Sequence, residues 1–332
     1  MWTYAKAGVD LSKHRSMHKY ALNMVEELSK HLLITLERGK FVTWLRDLNL
    51  TLHVDGVGTK TLVAKIYGSY DVLGWDCIAM NVNDVVCDGG IPIAVVDYIA
   101  MDKADEKAFT GIMNGLYKAA KTSNVVILGG ETAIMPDLIN GIDVVCAMLA
   151  IKRHEFKNNV REGDIVVGFA SNGVHANGFS LIRKVIESTI GYHAKVDDIN
   201  LKDELLKPTA IYSKLVLELI ERNLISSATH ITGGAFTKLK RVLSKDLDII
   251  IKMPKPPRIF ELIMKLGNIP VNEMYKVFNM GIGFIVTTSK NNVDKIIGLA
   301  QKHNHKPYVL GEVVSGSNKV IIHTPWGEVV EL

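Results

Sequence analysis

The chain has 332 residues, 39 basic and 35 acidic side chains, and a formal net charge of +4 at pH 7. This length exceeds what one hydrophobic core usually serves, so the sequence predicts two domains. The lysines are scattered instead of forming a dense basic stripe, and no apolar run approaches the roughly 20 residues of a membrane helix, so binding to nucleic acid or to a membrane is not expected.

The first half of the chain alternates helical and extended patterns. Apolar residues recur at helical spacing over residues 15–36, which predicts the first helix. The further elements predicted in this half are helices over 61–67, 76–86 and 103–121 and strands over 51–54, 93–100, 125–128 and 143–151. Together they predict a domain of helices and strands that ends near residue 154.

The second half begins with a polar stretch over residues 152–159 that has no hydrophobic period. It predicts a boundary between an N-terminal domain, residues 1–154, and a C-terminal domain, residues 155–332. The second domain is predicted to contain strands over 164–170, 229–231, 283–287, 308–314 and 319–323 and helices over 180–188 and 209–222. Both domains mix helix and strand, so the predicted fold class is α+β, with the strand order left open.

Four predicted turns share one form, in which a strand ends in glycines and polar residues follow. They are Asp55-Gly-Val-Gly-Thr-Lys60, Gly129-Gly-Glu-Thr132, Ser171-Asn-Gly-Val-His-Ala-Asn-Gly178 and Thr232-Gly-Gly234. Glycine lets backbone N–H groups approach a ligand, and the start of a following helix adds partial positive charge, a combination that suits phosphate. One such turn is more often a plain tight turn, but four favour phosphate ligands. None has the spacing of a P-loop or a dinucleotide fingerprint.

Five polar side chains in or near these turns are candidates for chemistry. Asp55 and Glu131 follow strands and are expected to reach one metal ion from adjacent strand ends, as carboxylates do for magnesium. Asp84 lies in an apolar helix, where a carboxylate must be paired, hydrogen-bonded or metal-bound. Lys60 is placed to offset phosphate charge, and His175 to carry a proton near neutral pH. The plainer alternatives are helix caps or ion pairs for the carboxylates, a solvated lysine and a turn histidine.

The three cysteines, Cys77, Cys87 and Cys146, have no metal-ligand spacing. Cys77 and Cys146 lie in apolar segments and are expected to be buried and unreactive. The N-terminus lacks the basic start and apolar stretch of a signal peptide, so a cytoplasmic location is expected, where thiols stay reduced.

Nine groups of short motifs resemble one family and occur in that family's order. They are Tyr4-Ala-Lys-Ala-Gly-Val-Asp10, Asp55-Gly-Val-Gly-Thr-Lys60, Ala79-Met-Asn-Val-Asn-Asp84, Asp97-Tyr98, Gly129-Gly-Glu-Thr-Ala133 with Met135-Pro136, Gly173-Val-His-Ala-Asn-Gly-Phe-Ser180, Leu206-Lys-Pro-Thr-Ala-Ile-Tyr212, Ile231-Thr-Gly-Gly234, and Glu273-Met-Tyr275 with Phe278-Asn279 and Gly281-Ile-Gly283. Each motif alone is weak evidence for the family, but the whole set in this order is specific to it. The chain resembles the aminoimidazole ribonucleotide synthetase (phosphoribosylformylglycinamidine cyclo-ligase) family over most of its length.

The resemblance implies a homodimer in which two N-terminal domains, each binding ATP, form a β-barrel across the dimer. It also implies a C-terminal α+β domain that closes the active-site cleft, with ATP and Mg²⁺ in the cleft. By position, the resemblance implies metal contacts for Asp55, Asp84 and Glu131, nucleotide contacts for Asp55, Gly56, Gly58, Thr59, Lys60, Gly129, Gly130, Asn177 and Gly178, and catalytic roles for His175, Lys60 and Asp84.

The reaction implied by the resemblance converts formylglycinamidine ribonucleotide and ATP into aminoimidazole ribonucleotide, ADP and phosphate. Phosphorylation turns a poor leaving group, the amide oxygen, into a good one, and a nitrogen of the same molecule then closes the ring. Two alternatives stay open. One is another ATP-using member of the superfamily, such as a thiamine-monophosphate kinase, and the other is a non-catalytic nucleotide-binding regulator. Three carboxylates beside phosphates argue against a pure binder.

The chain departs from the family pattern at four places. In the N-terminal motif Ala5 stands between Tyr4 and Lys6, and Val174 stands where proline is common. The segment over residues 35–50 is short and contains only Gly39, whereas the family often has a long glycine-rich segment there. The late glycine triplet is shortened, because Ala235 follows Gly233 and Gly234. The last two differences concern a lid over the nucleotide and the approach of a ligand to the fourth glycine turn.

Overall fold

The computed structural model describes residues 1–152 and 155–332, without the side chain of Arg15. The N-terminal half contains helices α1 (Leu11–His31), α2 (Lys60–Tyr67), α3 (Asp71–Val86) and α4 (Glu106–Ser123) and strands β1 (Leu36–Arg38), β2 (Thr43–Leu45), β3 (Leu50–Gly56), β4 (Gly90–Met101), β5 (Val126–Ile134) and β6 (Ile142–Lys152). No helix in the described part of the chain is long and apolar enough to cross a membrane.

The C-terminal half has a second set of strands and helices. The strands are β7 (Ile165–Ala170), β8 (Ser227–His230), β9 (Leu247–Lys252), β10 (Ile282–Thr288), β11 (Pro307–Ser315), β12 (Val320–His323) and β13 (Val329–Glu331). The helices are α5 (Phe179–Ser188), α6 (Leu201–Leu205), α7 (Ser213–Glu221), α8 (Arg258–Gly267), α9 (Val271–Val277) and α10 (Val293–Lys302). This mixed architecture of two sheets confirms the prediction of two domains that each combine helix and strand.

The first sheet has the strand order β1-β2-β3-β6-β4-β5, in which only β4 and β5 run parallel. Helix α3 covers one face of this sheet and is buried along nearly its whole length. Glycines allow α4 to pack closely on α3, because a Cβ atom on Gly115 would lie 1.8 Å from the Asp71 carbonyl oxygen. The three cysteines are buried and free, as predicted for Cys77 and Cys146.

The opposite face of the first sheet is apolar and exposed. Leu52 and Val54 on β3 are 74% and 65% exposed, and Val96 and Tyr98 on β4 are also exposed. Because side chains alternate along a strand, these residues point away from the face that α3 covers. Strand β5 forms one edge of this sheet.

The second sheet has the order β13-β12-β9-β11-β7-β10-β8 and is antiparallel except for the β9–β12 pair. The first residues of the chain also belong to this domain, because the Trp2 N–H donates to the Gly267 carbonyl at 3.1 Å and the Tyr4 N–H to Glu273 Oε1 at 2.8 Å. Helix α1 therefore begins beside the second domain, and the chain then enters the first sheet at β1. The predicted boundary at residues 154 and 155 stays a prediction, since Arg153 and His154 lie outside the described residues.

Several predicted boundaries are wrong for identifiable reasons. Helix α1 spans Leu11–His31 instead of 15–36, because Asp10 Oδ1 accepts the Ser12 and Lys13 N–H groups at its start and Leu33 has a φ of 55° just beyond its end. Helix α3 begins at Asp71 instead of Asp76.

Strand β5 does not stop at the predicted turn over residues 129–132 but continues to Ile134. It pairs with β4 through these residues, with Gly130 opposite Asp97. A Cβ atom on Gly130 would lie about 2.5 Å from the Asp97 carboxylate. This glycine therefore makes room for a neighbouring side chain instead of forming a turn.

Candidate functional site

Asp84 lies where the two domains meet, near the end of α3, and three basic side chains surround it. Asp84 Oδ1 accepts a hydrogen bond from His230 Nδ1 of the second domain at 2.7 Å. Asp84 Oδ2 lies 3.7 Å from His53 Nε2 of β3 and 3.8 Å from Lys238 Nζ. The Asp84 side chain is 11% exposed, so this carboxylate is largely withdrawn from water. The buried helix carboxylate is therefore paired, as its position requires.

The pKa values of the Asp84 and Asp55 carboxyls are shifted in opposite directions. Burial by itself raises the pKa of Asp84, but the Lys238 ammonium and the His230 and His53 rings outweigh it and hold that pKa well below its usual range. Burial, and next the charge of Asp84, raise the pKa of Asp55. Each additional cation near the pair would therefore favour the ionised form of Asp55.

Two asparagines of α3 anchor the surroundings of Asp84. Asn81 Oδ1 lies 2.9 Å from His53 Nδ1. Asn83 Nδ2 donates to the Ala210 carbonyl at 2.8 Å, and Asn83 Oδ1 accepts the Tyr212 N–H at 2.8 Å. The motif over residues 81–84 thus orients a histidine of the first domain and binds the backbone of the second.

Lys60 has a different position from the one predicted. Its side chain is fully buried, and Nζ donates to Asp76 Oδ2 at 2.6 Å, to the Lys207 carbonyl at 2.8 Å and to the His175 carbonyl at 3.0 Å. An ammonium has three N–H donors, so none remains for a phosphate. The prediction of a phosphate-facing cation is wrong because the chain uses Lys60 to join α2 and α3 to the second domain.

His175 lies in the predicted loop, but its ring is buried. The Asn172 and Ala210 N–H groups donate to Nε2 at 3.0 and 3.3 Å, so Nε2 carries no proton. Burial, and next the charges of His230 and Lys60, hold the pKa of this ring well below its usual range. The ring is thus kept neutral as a backbone acceptor, which does not support the predicted role as proton carrier.

Three of the four predicted glycine turns meet in space. Thr59 Oγ1 lies 3.2 Å from Ser180 Oγ at the start of α5, which joins the first turn to the segment directly after the third. A Cβ atom on Gly233 would lie 3.9 Å from Asn177 Oδ1, which brings the third turn to the fourth. Asn177 Nδ2 is buried and, among the described residues, has no hydrogen-bond partner, so it is available to a ligand. Gly58, with φ of +64°, and Gly178, with φ of +74°, need the left-handed conformation that glycine permits.

Glu131 lies apart from Asp55, and the predicted adjacency of their strands is wrong. Two strands, β6 and β4, separate β3 from β5, a distance of about 14 Å at the usual strand spacing. Asp55 lies in one row with Cys146, Asp97 and Gly130, so Glu131 points to the opposite face of the sheet. Within residues 1–152 and 155–332, no group of three or more histidines, cysteines and carboxylates is arranged to hold a metal ion.

A cleft of about 930 Å³ extends from the fourth glycine turn, Thr232-Gly-Gly234. Gly233 and Gly234 line it together with the N-terminal segment that begins α1. Its basic lining residues are His14, Lys238, Lys240, Arg241 and Lys276, and its acidic lining residue is Glu331. This excess of positive charge beside a glycine turn suits an anionic ligand.

Sequence reasoning missed His53, His230 and Lys238. For two of them, the sequence contains a pattern that could have identified them. His53 precedes Asp55 by two residues in a strand and therefore shares its face, and His230 lies two residues before the fourth glycine turn. Lys238 had no such signal, because its position depends on the short helical segment Ala235–Arg241 that follows the turn.

The fold and the site together define a two-domain protein that gathers glycine turns and buried charged groups where its domains meet, beside a basic cleft. Two domains of one family match the chain, the AIR synthase related protein N-terminal domain over residues 39–151 and the C-terminal domain over residues 161–324. The chain belongs to the AIR synthase related protein family.

Three proteins named phosphoribosylformylglycinamidine cyclo-ligase are similar to this chain over nearly its whole length. The protein of that name from Saccharolobus solfataricus is 41% identical, over 99% of this chain and 98% of its own length. The one from Sulfurisphaera tokodaii is 43% identical, over 94% of both chains. The one from Methanocaldococcus jannaschii is 41% identical, over 97% of this chain and 96% of its own.

Solved structures share the fold at low sequence identity. A chain of the HypE–HypF complex is 18% identical, with a TM-score of 0.64 over 86% of this chain and 90% of that one. Thiamine-monophosphate kinase from Stenotrophomonas maltophilia is 18% identical, with a TM-score of 0.62 over 84% and 85%. PurL from T. maritima, complexed with FGAR, is 16% identical, with a TM-score of 0.59 over 90% of this chain and 46% of that chain.

Proposed function

We propose that this chain is an ATP-dependent cyclo-ligase that converts formylglycinamidine ribonucleotide into aminoimidazole ribonucleotide in purine biosynthesis. The observation that carries the proposal is the identity of 41–43% to cyclo-ligases over nearly the whole of both chains. The glycine turns at the domain junction and the basic side chains that line the cleft support it, because both suit the phosphates of the two substrates.

The proposed chemistry needs positioning and charge stabilisation more than covalent catalysis. The γ-phosphoryl group of ATP moves to the amide oxygen, a nitrogen of the same substrate attacks the carbon, and phosphate leaves. Backbone N–H groups of the three clustered glycine turns and the Asn177 amide would hold phosphate oxygens, and Lys238 would offset the developing charge. We propose Lys240, Arg241 and Lys276 as contacts for the ribose phosphate, since they line the cleft beside Gly233.

We propose Asp55 and Asp84 as the groups that hold a divalent cation. The raised pKa of Asp55, which follows from burial and from the charge of Asp84, is what an additional cation would relieve. Bound there with phosphate oxygens and water, the cation would neutralise phosphoryl charge. Glu131 of the same chain lies on the other face of the sheet and is left out of this set, although the resemblance implied it.

We also propose a homodimer that closes a barrel through the exposed apolar faces of two N-terminal sheets. The support is the row of exposed apolar residues on β3 and β4 and the free edge of β5. The cytoplasmic location stays a prediction from the sequence.

The decisive experiment follows phosphate release from ATP and Mg²⁺ with and without formylglycinamidine ribonucleotide, with the product identified by mass. We expect release that depends on this substrate and a product lighter by one water. Thiamine monophosphate serves as the alternative acceptor, because phosphorylation of that compound would support a kinase. Nucleotide binding without turnover of either substrate would support a regulator.

A further inference from the structure

Helix α1 has an apolar stripe that nothing in the described part of the chain covers. The members of the stripe recur at helical spacing and are 55–70% exposed, and they are Met17, Tyr20, Met24 and Leu28. Among the described side chains of α1, all except Leu11 and Ser29 are exposed. Helices in proteins owe most of their stability to the packing of such a stripe, so α1 needs a partner surface.

The stripe points away from the strand that holds α1. Arg38 of β1 donates to the Leu22 carbonyl at 3.2 Å and lies 2.9 Å from Glu26 Oε1. At 3.6 residues per turn, Leu22 and Glu26 lie on the side of the helix opposite Met24 and Leu28. Helix α1 is therefore fixed at the β1 edge of the first sheet, with its apolar stripe turned away from that edge.

A second uncovered apolar surface lies at the other edge of the same sheet. This β5 surface consists of β5 and the turn after it, and its apolar side chains, 46–76% exposed, are Val126, Leu128, Ile134 and Leu138. Five strand spacings, about 24 Å, separate β1 from β5. The helix at the β1 edge is thus too far away to cover the β5 surface of its own chain.

The two uncovered surfaces have opposite charge. Residues 11–25 of α1 contain two lysines, one arginine and two histidines but no acidic residue. Residues 122–151 contain no basic residue, and their acidic side chains, Glu131, Asp137 and Asp143, are all exposed. Contact between two β5 surfaces would bring like charges together, whereas contact between α1 and a β5 surface brings opposite charges together.

We propose that α1 of one copy of this chain packs against the β5 surface of a second copy, and that two-fold symmetry repeats the contact in the dimer. The proposal rests on the proposed homodimer and not on the cyclo-ligase reaction. The exposed face of the first sheet, which forms the proposed dimer interface, continues from β4 onto β5. Because Leu11, Ser12 and His14 line the cleft, the docked helix holds one wall of the cleft in place.

Cross-linking of introduced thiols tests the contact in the purified full chain, whose own cysteines are buried. Leu138→Cys is combined with Met17→Cys in one variant and with Met24→Cys in another. A short bismaleimide is expected to join two chains in at least one of these variants, which doubles the mass on a denaturing gel. The control combines Met24→Cys with Val329→Cys, an equally accessible position on the second domain, and is expected to stay monomeric on the gel.

Two results of the cross-linking would overturn the proposal. If neither variant gives a covalent dimer, α1 does not dock on the β5 surface. If Met17→Cys or Met24→Cys alone gives one, α1 packs against another α1. Because cross-linking within one chain leaves its mass unchanged, it cannot imitate the expected result.

Analytical ultracentrifugation provides a second measurement. Leu28→Lys should weaken the dimer by at least about tenfold, because it puts a charge in place of an apolar side chain that the contact buries. Asn23→Lys, on the opposite side of α1, is the matched control and should change the affinity by less than about threefold. Thermal melting of both variants establishes that they are folded.

A monomeric unaltered chain, or a dimer that Leu28→Lys and Asn23→Lys affect equally, would also overturn the proposal. No substrate is present in these measurements. Absence of cyclo-ligase turnover would therefore contradict only the proposed reaction.

Discussion

At the scale of single residues, the candidate site contains two kinds of buried polar group. Lys60 donates to partners in both domains, and the His175 ring accepts two N–H groups of the second domain through Nε2. Asp84, His53 and Lys238 form a charged cluster instead, of which Lys238 also lines the cleft. Residue type alone does not separate these two groups, because a lysine or histidine suits either role.

Replacement of Lys60 by methionine should lower the free energy of unfolding by about 3–5 kcal/mol, because Asp76 would remain buried without its partner. Urea unfolding measures the change. Lys65→Met is a matched control on the same helix, since the Lys65–Asp102 pair is partly exposed and should contribute about 0–1 kcal/mol. Equal effects of the two substitutions would contradict the structural role of Lys60.

His305 should make stability depend on pH. Burial, and next the charge of His303, lower the pKa of His305 to about 4. The folded chain therefore favours the neutral form of His305. The resulting contribution to the free energy of unfolding is fully present above the unfolded-state pKa of about 6.5 and is lost as pH falls toward 4. Urea midpoints measured across this range should fall less steeply for His305→Gln. An identical dependence of the urea midpoint on pH in that variant would show that other titrating groups determine it.

At the scale of secondary-structure elements, helix α3 connects the two halves of the site. Its first turns pack on α4 through glycines, its Asp76 binds Lys60, and its last turn carries Asp84. The segment before α7 is bound by Asp76 and Asn83 through the Thr209 and Tyr212 N–H groups. These contacts explain why α7 begins at Ser213 and not at residue 209 as predicted.

Replacement of Gly115 by alanine should destabilise the chain by about 1–3 kcal/mol, because the added methyl group would overlap the Asp71 carbonyl and force α3 and α4 apart. Gly298→Ala in α10 is the control, since nothing lies within 4 Å of its added Cβ, and it should stabilise by about 0.4–1 kcal/mol. Thermal melting compares the two. A Gly115→Ala variant as stable as the unaltered chain would mean that α3 and α4 move apart without loss of stability.

At the scale of the whole molecule, the exposed face of the first sheet and the junction between the domains have separate consequences. The face leaves several apolar side chains in water, whereas the junction brings together glycine turns from both domains. The proposed dimer concerns the face and not the junction. Its disruption is therefore a test that leaves the residues around Asp84 in place.

Val54→Lys should convert a dimer into monomers, because it puts a charge in the centre of the proposed interface. Analytical ultracentrifugation at several concentrations measures the mass. Val329→Lys is the control, as Val329 is similarly exposed but lies on β13 of the other domain. A monomeric unaltered chain, or a Val54→Lys dimer, would contradict the proposed assembly.

The sequence by itself determined the family, the two mixed domains and most elements, because hydrophobic periodicity and glycine motifs act over short stretches of chain. It also placed Asp84 correctly as a buried carboxylate in need of partners. Only the tertiary structure decided which residues are those partners. His53, His230 and Lys238 come from three separate segments, and their approach to Asp84 depends on how two sheets pack against one helix. Sheet order likewise separated Glu131 from Asp55, since strand order depends on long-range pairing that no local pattern encodes.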